Sequence, residues 1–177
     1  MLILGVDPGY AITGWGIIER KRRGQHIRCI DYGAIITHPR DKKTKEPNRY
    51  LNRIHITYKG IKKILRKYKP DIMAIERLFF SKNRTTAIEV AQARGTMLLA
   101  AEQSGIAVYE YHPNQVKRAV TTSIRAGKQQ VQRAISLLLG LHPIPQPDDI
   151  ADALAVAVCH QFYLESAGHV AHTVMPL

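Results

Sequence analysis

The stretch LILGVDPGYAITGWGIIE, residues 2–19, decides how the rest of the chain is read. Leu2 to Val6 is an unbroken apolar run of strand length. It stops at Asp7-Pro8-Gly9, where proline fixes φ and glycine permits a turn. Thr13 to Glu19 resumes with Trp15 and Ile17 on alternate positions, the period of a half-buried strand. After the polar turn Arg20-Lys21-Arg22-Arg23-Gly24, residues His26 to Thr37 repeat the strand composition. Three strands joined by turns predict an antiparallel meander whose first strand ends on an acid, Asp7.

Past a charged loop at Pro39–Pro47 the period changes. Leu51, Ile54, Tyr58, Ile61, Leu65 and Tyr68 advance by three or four, so a helix from Asn48 turns one stripe to a core. Lys59, Lys62, Lys63, Arg66, Lys67 and Lys69 coat its solvated face. Pro70 ends that helix, and Ile72–Ile75 reads as a strand delivering a second acid, Glu76. A helix is predicted over Thr85–Gln103 with Gly105 as its C-cap, and its Ala87, Ala91, Gly95 and Ala101 allow close helix approach. Ala107–Tyr111 reads as a fifth strand. Short helices follow at Asn114–Val120 and Lys128–Leu139, then the breaker-rich Gly140–Pro147. A final helix runs from Asp148 to about Ala167. The pattern predicts an α/β fold, a mixed five-stranded sheet with helices on both faces. One domain is expected over residues 1–167, followed by a short tail at 168–177.

Lys and Arg number 26 against 14 Asp and Glu, a formal charge of +12, which favours a polyanionic partner through counterion release. A merely solubilising surface is the alternative. With 45% hydrophobic residues the chain is no disordered polyelectrolyte, and with 7% aromatics it is no extended single-strand stacking platform. Cys29 and Cys159 lack metal-ligand or CxxC spacing and read as buried free thiols rather than a zinc site or disulfide scaffold. MLILGVDPG does not resemble a secretion signal, and no apolar run reaches membrane-spanning length, so a cytoplasmic protein with no membrane partner is expected.

Asp7 and Glu76 are each the first carboxylate after a buried strand, and strand carboxyl ends line the usual crevice of open α/β sheets. Asp7 alone could be only a turn former. The segment PDDIADALAVAV adds Asp149 and Asp152, three apart on one helix face. Helix capping explains Asp148 or Asp149, but not Asp152 among Ala151, Ala153, Leu154 and Val156, where a carboxylate needs a cation or a donor. An all-oxygen set of this kind suits Mg²⁺ and in-line phosphoryl chemistry.

The ordered segments GVDPGYAITGWGII, AIERLFFSKN, AIEVAQARGTMLLAA, NQVKRAV, KQQVQ and PDDIADALAVAV resemble the RuvC family of Holliday-junction resolvases over nearly the whole chain. The resemblance implies a ribonuclease-H-like fold and a homodimer that nicks opposing strands of a four-way DNA junction in recombination and repair. It also implies a RuvA/RuvB-type branch-migration complex as partner. By motif position, Asp7, Glu76, Asp149 and Asp152 are its catalytic and metal-holding acids, for one or two Mg²⁺, with Mn²⁺ expected to substitute. Asp149 is selected over Asp148 by its distance from Asp152, and Asp148 is left as an N-cap or a local negative charge. Lys117 and Lys128 match basic positions near the scissile strand, Lys117 also as a catalytic residue that could position phosphate. Phe79 matches a base-contacting phenylalanine. Phe80 either joins it or anchors the loop, and Lys82 and Arg84 supply charge beside them.

The run VTTSIRAGK departs from the family, which commonly has Gly at the positions of Thr122 and Ile124. Positive φ there would strain a β-branched residue unless the loop changes shape, with Gly127 as a possible compensation and Arg125 as a replacement phosphate contact. The face of Thr85–Gln103 is either the family's dimer helix or an ordinary core helix. Two rival readings are a catalytically silent junction-binding module and another enzyme of the same fold, a hybrid-cleaving nuclease or an actin-like ATPase. Chain length disfavours the ATPase.

Overall fold

The computed structural model describes residues 1–20, 26–37, 49–78 and 87–167. Strands β1 (Leu2–Asp7), β2 (Ile12–Glu19) and β3 (Arg28–Ile36) form the meander, with Asp7 opposite Gly14 and Gly16 opposite Tyr32. Helix α1 (Arg49–Tyr68) leads to β4 (Ile72–Glu76), which pairs parallel to β1. Helix α2 (Ala87–Glu102) leads to β5 (Ala107–Tyr111), parallel to β4. Helices α3 (Pro113–Thr121), α4 (Lys128–Leu139) and α5 (Asp148–Ala167) complete the described chain. The sheet order β3-β2-β1-β4-β5 is the mixed five-stranded sheet expected. Among the described residues no helix is long and apolar enough to cross a membrane.

Strand alternation sorts two cores. Leu4, Val6, Ile17, Met73 and Ile75 pack with Ile61, Leu65, Met97 and Ala101 of α1 and α2. Ile3, Ile18 and Ala74 point the other way, against α3, α4 and α5. Helix α5 is buried almost continuously from Ile150 to Gln161, because it packs on the sheet while α3 and α4 pack on it. Its approach depends on strand glycines. A Cβ on Gly5 would lie 2.1 Å from the Ala153 carbonyl oxygen, and one on Gly14 would lie 1.9 Å from that of Asp149. Glycine inside a strand marks such a close approach.

Three expectations change in detail. Leu51 is 47% exposed, because the buried line of α1 begins only at Thr57 and continues through Ile61, Ile64 and Leu65. The small residues of α2 do not share one face, for Ala101 is buried with Ala93, Met97 and Ala100 whereas Gly95 is exposed with open space around it. Cys29 is a half-buried free thiol on the edge strand β3, whereas Cys159 is buried and free. The basic coat of α1 does face outward, with Lys62 half-buried.

Candidate active site

The two-residue strand period places Ile3, Gly5 and Asp7 of β1 on the α5 side, and Ala74 and Glu76 of β4 with them. Val6 pairs with Ile75, so Asp7 and Glu76 end neighbouring parallel strands. Gly14, opposite Asp7, receives the Asp149 carbonyl and so seats the first turn of α5 beside Asp7. Asp149 and Asp152, three apart, enter from there. Arg77, the next residue after Glu76, instead pairs with Glu110 of β5 at 3.4 Å, and its amide N–H donates to the Tyr111 carbonyl.

Burial and mutual repulsion dominate the acids. Asp7 is held well above the usual carboxylate range by burial first, then by Glu76, Asp152 and Asp149, with Lys128 opposing. Burial and the charge of Asp152 push Glu76 up to about 7 against the pull of Lys117. Asp152 rises to about 6, also through burial, although Lys128 lowers it. Asp149 is raised by burial as well. Asp148 is lowered, because Lys128 donates a hydrogen bond to it. An added cation would relieve the uncompensated charge of the first three acids.

Two of these acids, Glu76 and Asp152, line a cleft of about 230 Å³ together with Lys117, Lys128, Pro113, Val116 and Val131, whereas Asp7 and Asp149 do not line it. Lys117 rides on α3, whose start is fixed by Pro113 and by the His112 side chain accepting from the Asn114 amide. Lys128 begins α4; its ammonium pairs with Asp148 and lies 3.9 Å from Asp152. The cleft therefore joins two carboxylates to two ammonium groups, a combination that suits a metal-bound phosphate. The donors are all oxygen, which fits Mg²⁺ or Mn²⁺. Among the described residues no group of three or more His, Cys, Asp or Glu side chains forms a ready-made metal site. An ion that keeps waters and takes oxygens from its substrate does not need one.

The remaining candidates divide. Phe79, Phe80, Lys82 and Arg84 lie outside the described residues. Arg125 is exposed between α3 and α4 and does not line the cleft. In that connection Thr122 has φ +61°, the left-handed cap of α3, so the backbone strain expected at this position is present. Ile124 does not have positive φ. Gly127, at φ −75°, adopts a conformation open to any residue and compensates nothing. Asp148 is the first residue of α5 rather than its cap, and the local-charge reading is the one that agrees with its pairing to Lys128. The Asp148–Lys128 pair was not legible, since nothing in sequence spacing joins α4 to α5. Gly5 and Gly14 were legible in principle as glycines inside strands.

Residues 3–160 match the family model described as crossover junction endodeoxyribonuclease RuvC. A crossover junction endodeoxyribonuclease RuvC from Halothermothrix orenii is 50% identical over 160 residues, covering 90% of this chain and 92% of the relative. The Thermus thermophilus RuvC structure aligns with TM-score 0.82 at 32% identity, covering 94% of this chain and 97% of that one. A structure of T. thermophilus RuvC in complex with Holliday junction substrate aligns with TM-score 0.83 at 31% identity, covering 94% and 96%. With its mixed sheet, its strand-end acids and these matches over nearly the whole chain, the protein belongs to the RuvC family of crossover junction endodeoxyribonucleases.

Proposed function

We propose that this protein resolves four-way DNA junctions by metal-dependent hydrolysis of phosphodiesters on two opposing strands. The observation that carries the reading is the cleft in which Glu76 and Asp152 face Lys117 and Lys128. The family's nucleases are metal-dependent, and the all-oxygen donor set favours Mg²⁺, with Mn²⁺ as substitute, at one or two ions per site.

Asp7, Glu76, Asp149 and Asp152 would hold the metal, which would supply Lewis-acid charge to activate water and to stabilise the departing 3′ oxygen. Lys117 binds the scissile phosphate from the α3 wall and stabilises charge developing on its oxygens. Lys128 binds the same strand at the start of α4. Val116 and Val131 add apolar surface to the same lining, which strengthens the electrostatics there. Phe79 and Phe80 stack on bases opened at the junction centre, with Lys82, Arg84 and Arg125 on neighbouring phosphates. Residues 1–167 form the nuclease domain and 168–177 its tail.

Two active sites require two copies. Ile88 and Leu99 on α2 are 71% and 51% exposed, with Gln92 and Gly95 between them on the same outward line. This stripe supports the homodimer, for a second α2 would cover both apolar residues and approach closely at Gly95. A branch-migration motor and a cytoplasmic setting follow from the junction reading.

Cleavage of a four-way junction, a linear duplex and an RNA–DNA hybrid of matched sequence tests the proposal. The junction should be nicked at paired positions with Mg²⁺ or Mn²⁺, and the other two should be spared. Equal cleavage of the linear duplex or the hybrid would replace junction resolution with a general nuclease.

A further inference from the structure

Lys128 stands where a lysine is electrostatically out of place. It is the first residue of α4, at the partially positive end of the helix dipole, and the first turn of α4 contains no acid. Its counter-charges come from another element. Asp148 and Asp152 lie four apart on one face of α5, and the Lys128 ammonium pairs with the first while lying 3.9 Å from the second. Asp152 lines the cleft with Lys128; Asp148 does not. The pair is largely exposed, with side chains 58% and 35% accessible, so it adds little to fold stability.

We propose that Asp148 is a positioning residue that draws Lys128 to the rim of the cleft and keeps it from settling on Asp152 as a permanent counter-ion. The inference rests on the reading of Asp152 as a metal-holding carboxylate. Were Asp148 neutral, the nearest acceptor left to Lys128 would be Asp152, and an ammonium bound there competes with a divalent cation. With Asp148 charged, the lysine is held aside yet stays within reach of a phosphate entering the cleft. Asp148 thereby acts through Lys128, without touching substrate or metal.

A double-mutant cycle on the full chain, read by Mn²⁺ binding without DNA, tests this. Asp148→Asn should weaken Mn²⁺ binding by about 3- to 10-fold, the size usual for coupled neighbours. In a Lys128→Gln background the same change should have less than about a 2-fold effect, because no lysine is left to misplace. Asp148→Glu should bind Mn²⁺ as the unmodified protein does, and raising Mn²⁺ should restore junction cleavage by Asp148→Asn. Equal weakening in both backgrounds overturns the proposal, since Asp148 would then act as a direct charge on the ion. So does an unchanged affinity for Asp148→Asn. An unmodified chain that binds no Mn²⁺ at all overturns the metal reading itself, and this inference with it.

Discussion

The two faces of the sheet are built on different principles. On the α1/α2 side, large side chains from both layers interdigitate: Leu4, Val6, Ile17, Met73 and Ile75 against Ile61, Leu65 and Met97. On the α5 side Ile3 and Ile18 pack against Ile150 and Leu154 as well, but at Gly5 and Gly14 the helix backbone itself lies against the strands. The first arrangement tolerates sub-ångström repacking, because side chains have rotamers to spend. The second has no slack, and it carries the acids. Side-chain packing holds this fold together, whereas backbone contact sets the geometry of its chemistry.

Gly14→Ala should break that contrast with the largest effect. Its Cβ would meet the Asp149 carbonyl oxygen at 1.9 Å, so α5 must move and take Asp149 and Asp152 with it. Misplacement of catalytic groups by about 1 Å lowers rates by about 100-fold. Junction nicking should fall by at least about that factor in whatever protein remains folded, as single-turnover kinetics would show. Near-normal nicking would mean that α5 does not rest on this contact.

Met97→Ala tests the other face. Met97 is fully buried against the α1/α2 side, and its truncation should cost roughly 2–5 kcal/mol in denaturant unfolding. Nicking below the new melting temperature should be unchanged. A large loss of rate at full folding would erase the distinction between the faces.

The α5 side also holds a buried histidine. His160 is fully buried, its Nδ1 lies 2.6 Å from the Tyr111 hydroxyl, and burial followed by the charge of Arg20 lowers it to about 4. Between an unfolded value near 6.5 and about 4, the unfolded chain binds the proton that the folded one refuses. Stability should therefore fall as pH drops through that window, by on the order of 3 kcal/mol at about 1.4 per unit. The raised acids Glu76 and Asp152 slope the opposite way, lending stability that is lost as pH rises towards about 7 and about 6. The measurement is accordingly the difference in unfolding free energy between the unmodified chain and His160→Gln across pH 4–7. Parallel curves would remove His160 from the account.

The smallest effect belongs to the α3–α4 connection, outside both contact surfaces. Thr122→Gly relieves a left-handed β-branched residue at φ +61° but gives the unfolded chain more freedom. A net gain of about 0.5–1 kcal/mol is expected in the denaturation midpoint. A loss would show that the threonine hydroxyl, which donates to the Thr121 carbonyl at 2.6 Å, matters more than the backbone.

What the sequence revealed follows the same division. Strand ends, helix periods, the placing of Asp7 and Glu76 at strand ends and of Asp149 and Asp152 on one helix were legible, because each depends on local spacing. Leu51 misled, since periodicity marks a helix face without saying how far the core extends along it, and so did the grouping of Gly95 with Ala101, which lie on different faces of α2. The Asp148–Lys128 pair joins two helices through tertiary packing alone. Gly5 and Gly14 did carry a signal, as glycines inside strands otherwise rich in Ile and Leu, and it pointed to the helix that positions the acids.

The most direct test of the central claim is Asp7→Asn assayed for both junction binding and Mg²⁺-dependent nicking. The carboxylate removed here is half-buried beside the other acids, and the substitution keeps its shape while deleting its charge. Binding to a four-way junction should persist at close to the unmodified affinity while nicking disappears. Retained nicking with intact binding would contradict the assignment of these strand-end acids as the metal-holding catalytic centre.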